Sequence, residues 1–343
     1  MKVRTLLGIV VATALVHGCG GGGGGGNNVT LTPTLPIAID GGNAESIVGA
    51  GVGFVLTTAD TADQAATLAL GVKGETPKRR VNLAAFMRNQ LQWLFQASGE
   101  QLLISANTVL AMDSTKIVNC VNNPTGQITA TFSDNDNNGA VSTGDAVTLA
   151  FTDCQIDATD PTTVQGAITM TNFQVTGDPT IDTSPWYATT AVGISNLVFQ
   201  DTGFSETIDG GFTFNEGTPD NVNYTEMLSN TTLTDQYSGS TDKLMNFSMT
   251  ITVDNNTSAY TLSAAGTYSS TALGGTISLS TPAALSGVGT ANPNAGTMKL
   301  VGDSNSSVTV TPLDATNVRL EVDSNGDGSS DATIDTTWTA LTG

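Results

Sequence analysis

This chain of 343 residues contains a single histidine, His17. No other side chain titrates near neutrality without a strong perturbation. Ser-His-Asp and Cys-His nucleophile activation and histidine metal sites are therefore excluded from everything after residue 17. Basic side chains are also scarce, eleven Lys and Arg against thirty-one Asp and Glu, for a net charge of −20. A nucleic-acid footprint needs clustered cations to neutralise phosphates and is excluded with them. Aromatics make up 6% of the chain, and Trp93, Trp186 and Trp338 are too scattered to form a sugar-stacking platform; Trp93 reads as helix core and Trp338 as the seal of the last strand. The one sustained apolar run, Leu6 to Val16, is too short to span a bilayer. Catalytic motifs are missing as well. There is no Gly-x-Ser-x-Gly, and Ser240-Thr241-Asp242-Lys243 lacks the Ser-Asp-Asn and Lys-Thr-Gly that would give a Ser-x-x-Lys spacing meaning. Gly49, Gly51 and Gly53 form a Gly-x-Gly-x-Gly, but no strand precedes it and no Lys follows, which argues against a phosphate cradle.

What is present begins with an export signal. Lys2 and Arg4 form a charged start, Leu6–Val16 the apolar stretch, and Val16-His17-Gly18-Cys19 its end. These residues resemble the signal peptide and lipobox of bacterial lipoproteins, with His17 where a small or apolar residue is usual. The resemblance covers about the first twenty residues and implies that Cys19 becomes the lipid-bearing first residue of the mature protein. Gly20, where an Asp would retain such a protein at the inner membrane, implies an outer-membrane lipoprotein facing either the periplasm or the outside. Loss of residues 1–18 leaves nine basic side chains against thirty-one acidic ones. With Cys19 lipidated, Cys120 and Cys154 remain, and in an oxidising compartment two leftover thiols read most simply as one disulfide.

Four segments follow from the pattern: the signal at 1–18, a flexible tether at 19–42, a helical segment at 43–100 and a β domain at 101–343. The tether, opened by Gly20–Gly26, reaches about 25–30 Å. Within 44–70, Ile47, Val48, Val55, Leu56 and Ala59 suit one helical face. A firmer helix runs from an Asn82 cap through Leu83, Phe86, Met87, Leu91, Leu94 and Phe95 to Gly99. Lys73, Lys78, Arg79, Arg80 and Arg88 concentrate the basic residues here and read as a solvated turn balancing an acidic protein. From about residue 115 the period becomes two: Ile128, Ala130, Phe132; Val147, Leu149, Phe151; Phe247, Met249, Ile251, Val253; Val318, Leu320, Val322. Each such run is a strand with one buried and one wet face, and Asn/Asp/Gly clusters supply turns at 122–126, 134–139, 254–256, 303–305 and 323–328. The fold class expected is mainly β, a large antiparallel meander of roughly a dozen strands closed as a barrel, half-barrel or sandwich, with an N-terminal helical segment.

The strongest chemical motif is Asp134-Asn135-Asp136-Asn137-Asn138-Gly139-Ala140-Val141-Ser142-Thr143-Gly144-Asp145. It resembles the calcium loops of EF-hand and dockerin modules. The resemblance implies oxygen ligands from Asp134, Asp136, Asn138, the Ala140 carbonyl, Ser142 and Asp145, with Gly139 at the sharp turn. Asp stands at position 12 in place of the usual Glu, and the flanks are strands where that family has helices. A second loop, from Asp323 to Asp331, offers Asp323, Asn325, Asp327 and Asp331 and resembles the short Asp-Gly-rich calcium turns of bacterial surface proteins. Few carboxylates per loop imply weak, structural sites. The function expected is a lipid-anchored, calcium-stabilised, non-enzymatic envelope or surface protein of structural or adhesion type, held to the membrane by its lipid and without nucleic-acid partners. Two other expectations stand beside it: a barrel or half-barrel carrier of an apolar ligand, and a carboxylate-based glycan hydrolase, which requires two facing acids about 5–9.5 Å apart in a cleft.

Overall fold

The computed structural model describes residues 35–56, Phe86, and 114–342 apart from 121–124, 137–141, 156–161, 178–184, 203, 221, 238–239 and 290. The described part of the β domain is one sheet of fourteen antiparallel strands joined in sequence order. They are β1 Ser114–Asn119, β2 Gln127–Ser133, β3 Ala146–Gln155, β4 Thr163–Thr176, β5 Trp186–Asp201, β6 Phe204–Thr218, β7 Asn223–Tyr237, β8 Ser240–Asp254, β9 Ala259–Ser270, β10 Gly275–Val288, β11 Ala295–Val301, β12 Ser307–Pro312, β13 Asn317–Asp323 and β14 Ala332–Thr337. β1 and β14 do not pair with each other, so the meander is open, neither a closed barrel nor two packed sheets.

The two-residue period determines which face is covered. Val147, Leu149 and Phe151, like Val318, Leu320 and Val322, are buried, while the residues between them stay partly or fully exposed. On that inner face lies helix α1, Ala44–Leu56. Its start is capped: Asp40 accepts the Gly42 and Asn43 N–H groups, and Asn43 accepts that of Asp40. Ala44, Ile47, Val48 and Gly51 form its buried stripe. The Gly49 and Gly51 of the Gly-x-Gly-x-Gly run prove to be packing positions. A Cβ at Gly51 would lie 2.5 Å from a Leu300 methyl, and one at Gly49 would lie 2.5 Å from the Leu341 carbonyl oxygen. Leu341 belongs to a closing helix, α2, Trp338–Thr342. Phe86 is helical and buried, its ring 5.6 Å from Phe151 and 5.4 Å from Phe199. The rest of the helix expected around it, like residues 57–70, lies outside the described residues.

Five strands contain a left-handed Asn or Asp: Asp153, Asn172, Asn196, Asn230 and Asn246. Each sits at a register shift between neighbouring strands and immediately precedes a buried residue, Cys154, Phe173, Leu197, Thr231 and Phe247 respectively. These are β-bulges, which bend a strand and add twist. Repeated from β3 to β8, they curl a wide sheet so that its inner face closes over a continuous core.

Consecutive hairpins alternate between two ends. At one end the incoming chain is fixed: Pro36 bridges Thr276, Asp303 N–H donates to the Ile37 carbonyl at 2.8 Å, and Ile39 N–H donates to Ser306 Oγ at 2.9 Å. We call this the tether end; it carries the 302–306 and 324–331 turns. The far end carries the 134–145 loop, the turns near residues 220, 256, 291 and 314, and α2. There the Trp338 indole is fully buried and donates to the Pro293 carbonyl at 3.1 Å.

Candidate metal centre

The register pair Ser133 and Ala146 closes the β2–β3 hairpin, leaving residues 134–145 as its loop. Three of the expected ligands converge there. Carboxylate oxygens of Asp134, Asp136 and Asp145 lie within 4.8 Å of one another, the only such acidic group among the described residues. Asp134 and Asp145 are buried and Asp136 is exposed. Asp145 ties the loop's ends together, its Oδ1 accepting the Asn135 N–H at 2.9 Å and its Oδ2 the Ser142 N–H at 2.7 Å. Ser142 Oγ lies 2.9 Å from Asp136 Oδ2 and 3.0 Å from Asp145 Oδ2. Positions 1, 3, 9 and 12 of the loop thus meet at one point; Asn138 and Ala140 lie outside the described residues. The loop is also anchored to β4, where Gly144 N–H donates to the Phe173 carbonyl and Val175 N–H to Thr143 Oγ1. Three carboxylates so close repel unless a cation or protons neutralise them. A hard divalent cation with oxygen ligands is what this donor set fits.

The 323–331 loop is arranged otherwise. Asp323 accepts the Gly326 and Gly328 N–H groups at 2.7 and 2.9 Å, Asn325 that of Asp327, and Asp327 that of Ser329. Asp331 accepts both the hydroxyl and the N–H of Ser324, which hold its carboxyl below the usual carboxylate range. These oxygens organise a chain of side-chain-to-backbone turns, and the loop's three acids do not converge as those of the first loop do. The two loops stand at opposite ends of the sheet.

Cys120 and Cys154 lie at disulfide distance, with their Cα atoms 5.5 Å apart. Flat strands would have placed them two spacings apart, about 9.6 Å. Two features shorten the gap. The bulge at Asp153 displaces Cys154 toward the middle strand, and Gly126, between the two cysteines, has no side chain: a Cβ there would lie 2.3 Å from the Asp153 carbonyl oxygen.

Sequence reasoning missed the acids of the inner face. Glu206, Glu216, Glu226 and Asp242 are at most 1% exposed, each two residues from a buried Ile208, Phe214, Leu228 or Leu244. The period-two rule, extended through these runs, would have turned them inward. Glu216 and Glu226 are direct cross-strand partners, and the Tyr224 hydroxyl lies 3.2 and 3.1 Å from them. This is a facing carboxylate pair, but it is buried in the sheet and not open in a cleft. The Ser240–Lys243 run opens β8, where Asp242 is turned in beside the Tyr268 hydroxyl and Lys243 faces the other side. Comparison of the chain with protein-family models, curated proteins and solved structures finds no match.

Proposed function

We propose that this protein is a lipid-anchored envelope protein of structural or adhesion type, whose open β-meander is stiffened by calcium at the 134–145 loop and which carries out no catalysis. The convergence of Asp134, Asp136 and Asp145 at a hairpin tip carries the calcium reading. The export reading rests on Lys2, Arg4, the Leu6–Val16 stretch and Cys19, and a cysteine pair at bridging distance suits an oxidising compartment. With the incoming chain fixed at the tether end, the lipid would leave from that end and present the calcium loop away from the membrane. The inner face supports the structural role over an apolar carrier, because α1, Phe86 and α2 pack against it and acids are buried in it.

Calcium titration tests the reading. Mass action gives a gain of about 1.4 kcal/mol at ten times Kd for a site formed only in the native state. Melting temperature should rise from chelator to several millimolar calcium, and Asp134→Ala with Asp136→Ala should abolish most of that rise. No change in melting together with no binding heat in calorimetry would end the calcium reading.

A further inference from the structure

Leu35–Ile39 is bonded to two separate elements before the chain enters α1. This strap runs parallel to the start of β10, where Pro36 bridges Thr276. Thr276 N–H donates to the Leu35 carbonyl at 3.0 Å, and Ile37 N–H donates to the Thr276 carbonyl at 3.1 Å. β11 pairs with β10 only from Ser278 onward, so the strap takes a stretch of β10 that β11 leaves. The 302–306 turn holds the same segment a second time, Asp303 N–H donating to the Ile37 carbonyl at 2.8 Å and Ile39 N–H to Ser306 Oγ at 2.9 Å. Two glycines make room for it: a Cβ at Gly275 would run into the Leu35 carbonyl oxygen, and one at Gly302 into that of Ile37. Strap and β10 point the same way, and β10 starts at the tether end, so a pull that draws Leu35 out of that end acts along the strap. Hydrogen bonds between strands lie across the strand direction; such a pull strains them together, whereas a sideways pull would break them one at a time. Beyond the strap, α1 is seated by apolar packing and by cap bonds within its own stretch of chain.

We infer that Leu35–Ile39 is a mechanical clamp, which passes tension on the preceding chain into β10 and the 302–306 turn and keeps it from α1. The inference rests on the reading that the protein is held through its N-terminal side, since only then is the strap loaded. A protein fixed there and gripped at its far end is stretched along its strands, and the strap is the first hold that the tension meets.

Single-molecule pulling on the full chain tests it without the lipid. One thiol handle is Asn256→Cys, in the exposed β8–β9 turn of the far end; the other is either Leu35→Cys, ahead of the strap, or Gly41→Cys, behind it, all in a Cys19→Ser background. Leu35 is 81% exposed and Gly41 is exposed, so both handles leave the core intact. Force speeds the unfolding of the path it loads, and the first rupture should need at least about 1.5-fold more force from position 35 than from position 41. Ser306→Ala, which removes the acceptor of the Ile39 N–H, should lower the first rupture force from position 35 and leave that from position 41 unchanged. Equal forces from the two handles, a lower force from position 35, or a Ser306→Ala effect that is absent or shared by both would overturn the inference. If the clamp holds in this assay while Cys19→Ala leaves the protein in the membrane fraction, the anchor reading alone fails.

Discussion

Asp145 is the residue on which the far-end loop depends, since its two oxygens accept backbone N–H groups from both sides of the loop. Asp145→Ala should take the acceptor from two part-buried N–H groups, costing about 1–2 kcal/mol, and should also remove any calcium-dependent rise in melting temperature. Urea melts with and without calcium separate the two effects. A second group of acids makes stability depend on pH. Hydrogen bonds to Asp220, Asp254 and Asp314, from Asn223, Asn256 and Asn317 foremost, hold these carboxyls below their ordinary range. A carboxyl depressed in the folded state stabilises above its unfolded pKa, near 3.9, and loses that contribution as pH falls through the folded value. Melting temperature should therefore drop below about pH 4, and the triple variant Asp220→Asn, Asp254→Asn, Asp314→Asn should lose less on acidification. The convergence of Asp134, Asp136 and Asp145 was legible in the sequence because their spacing within one hairpin loop is local. The inward turn of Glu206, Glu216, Glu226 and Asp242 was legible only by extending the period-two rule from the buried apolar residue two positions away, against their charge.

The strands themselves were legible: the runs at 128–132, 147–151, 247–253 and 318–322 all fall inside β2, β3, β8 and β13. Their bending was not. An isolated Asn inside a strand has no compositional signature, yet Asn196, held in the left-handed region opposite a single β6 residue, redirects β5 so that Leu197 enters the core. Asn196→Val should cost about 1–2 kcal/mol, because a β-branched residue resists positive φ, while Asn196→Gly should be nearly neutral. Thermal melts of the two variants distinguish backbone strain from loss of the amide. Helix α1 makes the converse case: glycines that weaken the helical pattern are what let it approach Leu300 and Leu341. Gly51→Val should destabilise by about 1–3 kcal/mol through overpacking, despite its better helix propensity, as chemical denaturation will show.

At the scale of the molecule, the Cys120–Cys154 pair and the proposed lipid anchor bear on how the protein stands. Loss of the 34-residue Cys120–Cys154 link, as in Cys120→Ser with Cys154→Ser, should cost roughly 3–4 kcal/mol in the chain-entropy model. Alkylation of the unreduced, unfolded parent should label neither thiol. Cys19→Ala should move the protein from the membrane fraction to the soluble one. The meander could be read from regular strand spacing, but the way residues 35–56 seat on it could not, because those contacts are remote in sequence. The Ile39–Ser306 hydrogen bond joins residues 267 apart, and Gly49 meets Leu341. Those contacts impose an order of events. Hairpins from β1 onward can zip as they appear, since each strand needs only its predecessor. In a chain that emerges N-terminus first, residues 35–56 come out earliest, and their seats at Thr276, Leu300, Ser306 and Leu341 come out last. An apolar helix stripe is therefore left waiting until the last strands have been made, and a chaperone that shields it would act on this segment long before its seats exist.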